Sequence, residues 1–191
     1  MKHQQILILD FGSQYTQLIA RRLREQGVFC VVRPCTDAAP SALEETTIGV
    51  ILSGGPASVL GEDAPAFDEQ WFEVDVPILG ICYGMQLLSK HFGGVVERGE
   101  RREYGRAEIE RHGSSRVLVD FPERSVVWMS HGDHVVEVPA GYRAVATSGT
   151  DIVAAMESND GRRFGLQFHP EVTHTERGKD CLLYTSPSPR D

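Results

Sequence analysis

The stretch Ile78-Leu79-Gly80-Ile81-Cys82-Tyr83-Gly84-Met85-Gln86 decides the fold. Its first four residues form a short apolar run, suited to a strand buried on both faces. Met85, Leu88 and Phe92 then recur at helical spacing until Gly93-Gly94 ends the pattern. A strand that passes straight into a helix leaves Cys82 on a sharp turn, with Gly80 and Gly84 flanking it. Side chains at those two positions would meet the neighbouring strand and helix, so the turn demands glycine. This is the small-x-nucleophile-x-small pattern of a nucleophile elbow, with cysteine in the nucleophile's place. It lifts the sulfur to the carboxyl edge of a sheet and sets it at a helix N-terminus, whose positive end favours a thiolate. Similar elbows occur in non-catalytic folds, so the chemistry needs further residues to support it.

Upstream, strand and helix patterns alternate. Gln5–Asp10 is a nearly continuous apolar run, broken by Phe11-Gly12-Ser13. Ser13 is placed to cap a helix carrying Tyr15, Leu18, Ile19 and Leu23 on one face, which Gly27 stops. A second strand near Val28–Arg33, a short helix from Ala42 and a third strand at Ile48–Leu52 follow. The turn Ser53-Gly54-Gly55-Pro56 and a weakly patterned helix then lead back to the elbow. This alternation predicts parallel βαβ units. Beyond Gly94, short stretches at 107–109, 117–119, 126–129, 135–138, 143–147, 152–157 and 163–168 alternate with turn residues and predict antiparallel strands. The fold class expected is α/β, with a mixed, largely parallel central sheet, flanking helices and an antiparallel β-rich second half. One domain suffices for 191 residues.

Bulk properties narrow the function. Net charge is −8 and no basic cluster of five or more occurs, which disfavours nucleic acid as a partner. No apolar run approaches the roughly 20 residues of a membrane helix. Met1-Lys2-His3-Gln4-Gln5 runs directly into a strand pattern with no cleavage site, so a cytoplasmic location is expected. Cys30, Cys35, Cys82 and Cys181 form no CxxC pair, so zinc ribbons and redox dithiols are not expected. Cys30 and Cys35 read as small buried hydrophobes.

A cysteine nucleophile needs a base and an anion-binding pocket. Phe164-Gly165-Leu166-Gln167-Phe168-His169-Pro170-Glu171 is an apolar strand ending in His-Pro-Glu. Residues two apart in an extended chain share a face, so Glu171 projects with His169 and can orient the imidazole. The backbone N–H of Tyr83, next after the nucleophile, is one oxyanion donor. Gly55 supplies a second bare N–H from a loop at the same sheet edge. A phosphate-cradling loop is the rival reading of Gly54-Gly55-Pro56, but no GKS/T or GxGxxG accompanies it. Ser130-His131-Gly132-Asp133-His134 reads as a polar turn suited to holding a small polar substrate. It lacks a partner set for a metal, and so does the trio His169, Glu171 and His174.

GICYGMQ with QFHPE resembles the triad of class-I glutamine amidotransferases. ILILDFGSQYTQLIARR, ILSGGP, REYGRAEI, WMSHGDHV and GLQFHPEVTHT resemble, more narrowly, the amidotransferase domain of the GMP synthetase branch, from about Gln5 to Gly178. The resemblance implies that Cys82 attacks the carboxamide of L-glutamine, that His169 relays the proton and that Glu171 orients His169. It implies that Gly55 and Tyr83 hold the oxyanion, and that Gln86, Ser130, His131, Gly132 and Asp133 recognise the glutamine head group. No cofactor is implied in this domain. ATP and Mg belong to an ATP-pyrophosphatase synthetase domain, which turns XMP into GMP with the released ammonia and is expected to be missing here. Two alternatives remain open: a glutaminase subunit serving an anthranilate or carbamoyl phosphate synthetase, and a non-catalytic glutamine-binding regulatory module.

The segment Cys181-Leu-Leu-Tyr-Thr-Ser-Pro-Ser-Pro-Arg-Asp191 lacks periodicity and predicts a structureless tail. It also resembles one reading frame of a sequencing adapter. The expectation is therefore a truncated amidotransferase domain over 1–180 and a non-native tail over 181–191, without the last helix the family places after HPEVTHT.

Overall fold

The computed structural model describes residues 3–39, 43–149 and 152–183. In chain order the elements are β1 (Gln5–Asp10), α1 (Thr16–Glu25), β2 (Phe29–Pro34), β3 (Thr47–Leu52), a 3-10 helix (Glu69–Glu73), β4 (Ile78–Ile81) and α2 (Tyr83–His91). After these come β5 (Val95–Arg111), β6 (Arg124–Glu137), β7 (Tyr142–Ser148), β8 (Val153–Ser158), β9 (Arg163–Leu166) and α3 (Gly178–Leu183). All nine strands lie in one sheet, ordered β2-β1-β3-β4-β9-β8-β7-β5-β6. Pairing is parallel from β2 through β9 and antiparallel from β9 outward to β6.

Alternation along β1 shows why both faces need cover. Ile6 and Ile8 enter one apolar cluster with Ile19 and Leu23 of α1 and Cys181 and Leu182 of α3. Leu7 and Leu9 enter the other, with Met85 and Leu88 of α2 and Trp71 and Phe72 of the 3-10 helix. The sheet is therefore a middle layer, and its parallel half is apolar on both sides.

The placement of β9 brings distant residues together. Late in the chain, it inserts beside β4 in parallel register, Ile81 opposite Leu166. The residues leaving β4 and those leaving β9 thus emerge together at one carboxyl edge.

Several expectations need correction. Ser13 does not cap α1: its Oγ accepts from the Tyr15 N–H at 3.0 Å in a tight turn, and the helix begins at Thr16. Asp10 stabilises that entry instead, accepting from Thr16 Oγ1 at 2.7 Å and from the Gly12 N–H at 2.9 Å. The helix expected from Ala42 starts outside the described residues, and residues 43–46 are non-helical. Between β3 and β4 the expected α-helix is only the 3-10 turn, whose Asp68 side chain caps the Gln70 N–H. Residues 117–119 are a turn, not a strand: Val117 and Leu118 are apolar because they are buried in the core, not because they pair. The stretches 126–129 and 135–138 fall largely in one strand, β6, which runs straight through the polar segment expected to be a turn. Cys181 and Leu182 are buried in α3, so the structureless segment does not begin at 181; two apolar side chains packed into the cluster beside α1 suffice to hold a short helix there. Residues 184–191 lie outside the described region.

Candidate active site

The elbow is built as its glycines require. A Cβ on Gly80 would stand 2.5 Å from the carbonyl carbon and oxygen of Gly84, and one on Gly84 would stand 2.4 Å from the Leu52 carbonyl oxygen. Strand, turn and helix can approach this closely only without those atoms. Cys82 itself takes φ 52°, ψ −105°, a conformation costly for any residue with a side chain. The turn is held by the Cys82 N–H donating to Leu166 O at 2.7 Å, and by the Gln86 N–H donating to Cys82 O at 3.1 Å.

Across the seam from β4, beyond the end of β9, His169 and Glu171 are both buried. His169 Nδ1 and Glu171 Oε1 lie 2.7 Å apart, and the ring borders the same cavity as Cys82, the two flanking Gly54. Sulfur, imidazole and carboxylate are thereby gathered from two distant parts of the chain. Burial disfavours a charged ring. The neighbouring Glu171 charge, with the nearby Cys82 and the hydrogen bond to Glu171, outweighs that and holds His169 well above the ordinary histidine range. The backbone is pinned as well: the His169 N–H donates to Trp128 O at 2.9 Å, and Thr175 Oγ1 donates to His169 O at 2.6 Å. Arg22 of α1 donates from Nε to Glu171 O at 3.1 Å and from Nη2 to Thr173 Oγ1 at 3.1 Å, clamping the segment from outside.

Above this trio opens a cavity of about 420 Å³. Every residue expected at the site borders it except Glu171, which stands behind His169: Cys82, His169, Gly55, Tyr83, Gln86, Ser130, His131, Gly132 and Asp133. A Cβ on Gly55 would stand 2.6 Å from Phe11 O, so its backbone reaches the cavity only as glycine. Tyr83 opens α2, where the first N–H groups lack an intrahelical acceptor.

The segment 130–134 lines the cavity as part of a strand, paired to β5 across an irregularity between Arg98 and Glu103. Gly132 therefore marks that irregularity rather than the chain reversal its composition suggests. Gln86 Nε2 donates to Asp133 O at 2.7 Å, and Asp133 Oδ2 accepts from Ser58 Oγ. His131 Nε2 lies 3.2 Å from Glu103 Oε2, and burial pulls its ring below the ordinary histidine range despite that carboxylate.

The structure also adds residues that sequence reasoning missed. The Tyr15 ring meets the His169 ring edge-on, with centroids 5.1 Å apart. Gly54 separates base from nucleophile: a Cβ there would stand 3.2 Å from His169 Cε1 and 3.7 Å from Cys82 Cβ. Arg102 and Tyr104 of β5 stand at the rim. Gln167 is fully buried, with Nε2 3.6 Å from Cys82 Sγ. Its spacing of two from His169 was an available signal that both point the same way. The other three thiols are poor candidates, since burial pushes Cys30, Cys35 and Cys181 up from the ordinary range. Among the described residues, no three His, Cys, Asp or Glu side chains gather as a metal site.

The family model described as glutamine amidotransferase class-I matches residues 7–184. The chain belongs to that family. This amidotransferase chain is 50% identical over 181 residues to the GMP synthase [glutamine-hydrolyzing] of Bacillus cytotoxicus and 51% identical over 180 residues to that of Bacillus subtilis. The alignments cover 95% and 94% of this chain but 35% of each relative, so the chain spans about a third of their length. Among solved structures, a protein described as a GMP synthase subunit from Thermoplasma acidophilum superposes with TM-score 0.81 at 29% identity, covering 97% of this amidotransferase and 93% of that chain. A glutamine amidotransferase from Thermotoga maritima gives TM-score 0.70 at 26% identity, covering 90% and 78%.

Proposed function

We propose that this amidotransferase hydrolyses L-glutamine to glutamate and ammonia through a thioester on Cys82. The observation that carries the reading is Cys82 and His169 bordering one cavity, with Glu171 behind the ring and 2.7 Å from its Nδ1. Glutamine enters with its carboxamide over the sulfur. The thiol proton passes to His169 Nε2, because Nδ1 is engaged by Glu171. Sulfur attacks the carboxamide carbon, and the developing oxyanion is met by the Gly55 and Tyr83 N–H groups, each donor being worth about 3 kcal/mol of barrier. The imidazolium then gives its proton to the amide nitrogen, the C–N bond breaks and ammonia leaves. Water, deprotonated by the same ring, attacks the thioester, and glutamate departs as the thiol is restored.

The head group is assigned to Gln86 and the β6 segment Ser130, His131, Gly132 and Asp133, which border the same cavity as the sulfur. By likeness to the Bacillus relatives, the ammonia serves conversion of XMP to GMP on an ATP-pyrophosphatase synthetase domain outside this chain, and ATP and Mg act there. A cytoplasmic setting suits the four free cysteines. Among the described residues, no helix is long and apolar enough to cross a membrane.

Cys82→Ala tests the reading. Ammonia release from glutamine, assayed on the chain with and without the synthetase domain of a Bacillus relative, falls to background while the circular dichroism spectrum is kept. Mass spectrometry of quenched wild-type reactions finds the γ-glutamyl adduct on the Cys82 peptide. Undiminished release by Cys82→Ala ends the proposal.

A further inference from the structure

Gln167 is a polar side chain with no exposure, one residue beyond β9 and against the reactive sulfur. Which end of its amide faces the sulfur follows from its neighbours. The carbonyl of Asp133 can only accept, so Gln86, whose amide lies 2.7 Å away, must present its NH2 end there. The second hydrogen of that NH2 group points toward the Gln167 amide at 3.3 Å, where only oxygen can receive it. Gln167 is thereby turned so that its own NH2 group faces Cys82, with Nε2 3.6 Å from Sγ.

We propose that Asp133 C=O, Gln86 and Gln167 form an amide relay that fixes an N–H donor on the Cys82 sulfur and so favours its thiolate. The proposal rests on the reading of Cys82 as nucleophile. Ser130 O, 3.6 Å from the sulfur, can only accept and therefore suits the neutral thiol. When the S–H bond breaks and the proton moves to His169 Nε2, the Ser130 contact becomes repulsive and the Gln167 contact attractive. The donor is held in place before charge develops, so no reorientation is needed at that moment. The relay also ties the nucleophile to the cavity wall, because Gln86 and Asp133 border the space assigned to glutamine.

The test reads the thiol directly. Alkylation of Cys82 by iodoacetamide, resolved at the peptide level across a pH series, is compared for wild type, Gln167→Met, Gln167→Glu and Gln86→Met. The titratable and charged groups around the sulfur are His169 and Glu171 after β9, His131 and Asp133 on β6, Arg102 on β5, Tyr15 before α1 and Tyr83 on α2; all stay unchanged. Gln167→Met is expected to alkylate about tenfold more slowly at neutral pH, its profile displaced upward by about one pH unit. Gln167→Glu, nearly isosteric but bringing negative charge to the sulfur, moves further in the same direction. Gln86→Met frees Gln167 to rotate and moves part of the way. A Gln167→Met profile that coincides with wild type, or alkylation faster at every pH, overturns the relay and leaves Gln167 as mere cover. If Gln167→Met does not fold, Gln86→Met decides, because it adds no charge and releases Gln167; an unmoved Gln86→Met profile then overturns the proposal. Glutamine turnover is not needed, so an inactive wild type counts against the glutaminase reading and an unmoved profile counts against the relay.

Discussion

Adding one methyl group at Gly54 separates catalysis from stability. The Cβ of Gly54→Ala would stand 3.2 Å from His169 Cε1 and 3.7 Å from Cys82 Cβ. The first contact is tight by a few tenths of an ångström, so the imidazole or the loop must give. The ring has little freedom, with Glu171 2.7 Å from Nδ1, Tyr15 packed edge-on against it and its backbone tied to Trp128 and Thr175. A misplacement of about 1 Å can cost roughly a hundredfold in rate, so a few tenths are expected to cost about tenfold in kcat/KM, or ~1.4 kcal/mol of barrier. Stability should hardly change. Overpacking by this one methyl group costs about 1 kcal/mol, while replacing glycine restrains the unfolded chain by about 0.4–1 kcal/mol. The assay is ammonia release from glutamine alongside a thermal melt of the same preparation. Wild-type kcat/KM in Gly54→Ala, or a loss of activity accounted for by a lowered melting temperature, would refute the claim that this backbone spaces base from nucleophile.

Three other outcomes are expected. Because His169 is held above its ordinary range, folding favours its charged form; that stabilisation is complete below the unfolded value of about 6.5 and is lost as pH rises through the raised folded value. Glu171→Gln should therefore flatten the decline in urea midpoint from neutral to alkaline pH, and an unaltered slope would count against the pair. Gly84→Ala should lower unfolding free energy by about 3 kcal/mol, since its Cβ meets backbone at Leu52 rather than a yielding side chain; a urea midpoint close to wild type would contradict this. Arg22→Ala removes the clamp on Glu171 O and Thr173 and is expected to lower kcat with KM kept; an unaffected kcat would show that the segment is held adequately from within.

What could be read from the sequence was whatever lay within one local pattern. Cys82 between Gly80 and Gly84, and His169 two residues from Glu171, carry their geometry in their spacing, and the structure places all three together. The parallel order of the early strands follows from alternation. What could not be read depends on partners remote in the chain. Val117 and Leu118 have a strand's composition but are used as core filling. Ser130–His134 has a turn's composition, but residues 97–104 of β5 supply a pairing partner that overrides it. Gly54 and Gln167 acquire meaning only once β9 lies beside β4, a placement that sequence order conceals.

The backbone of Cys82, held at a positive φ, puts evolutionary and engineering interests in conflict at one codon. Glycine would relieve a distortion of about 1–3 kcal/mol there. Variants screened for heat tolerance alone should therefore drift toward glycine at position 82, gaining robustness as they lose the thiol. Any campaign to harden this scaffold needs a turnover screen run in parallel.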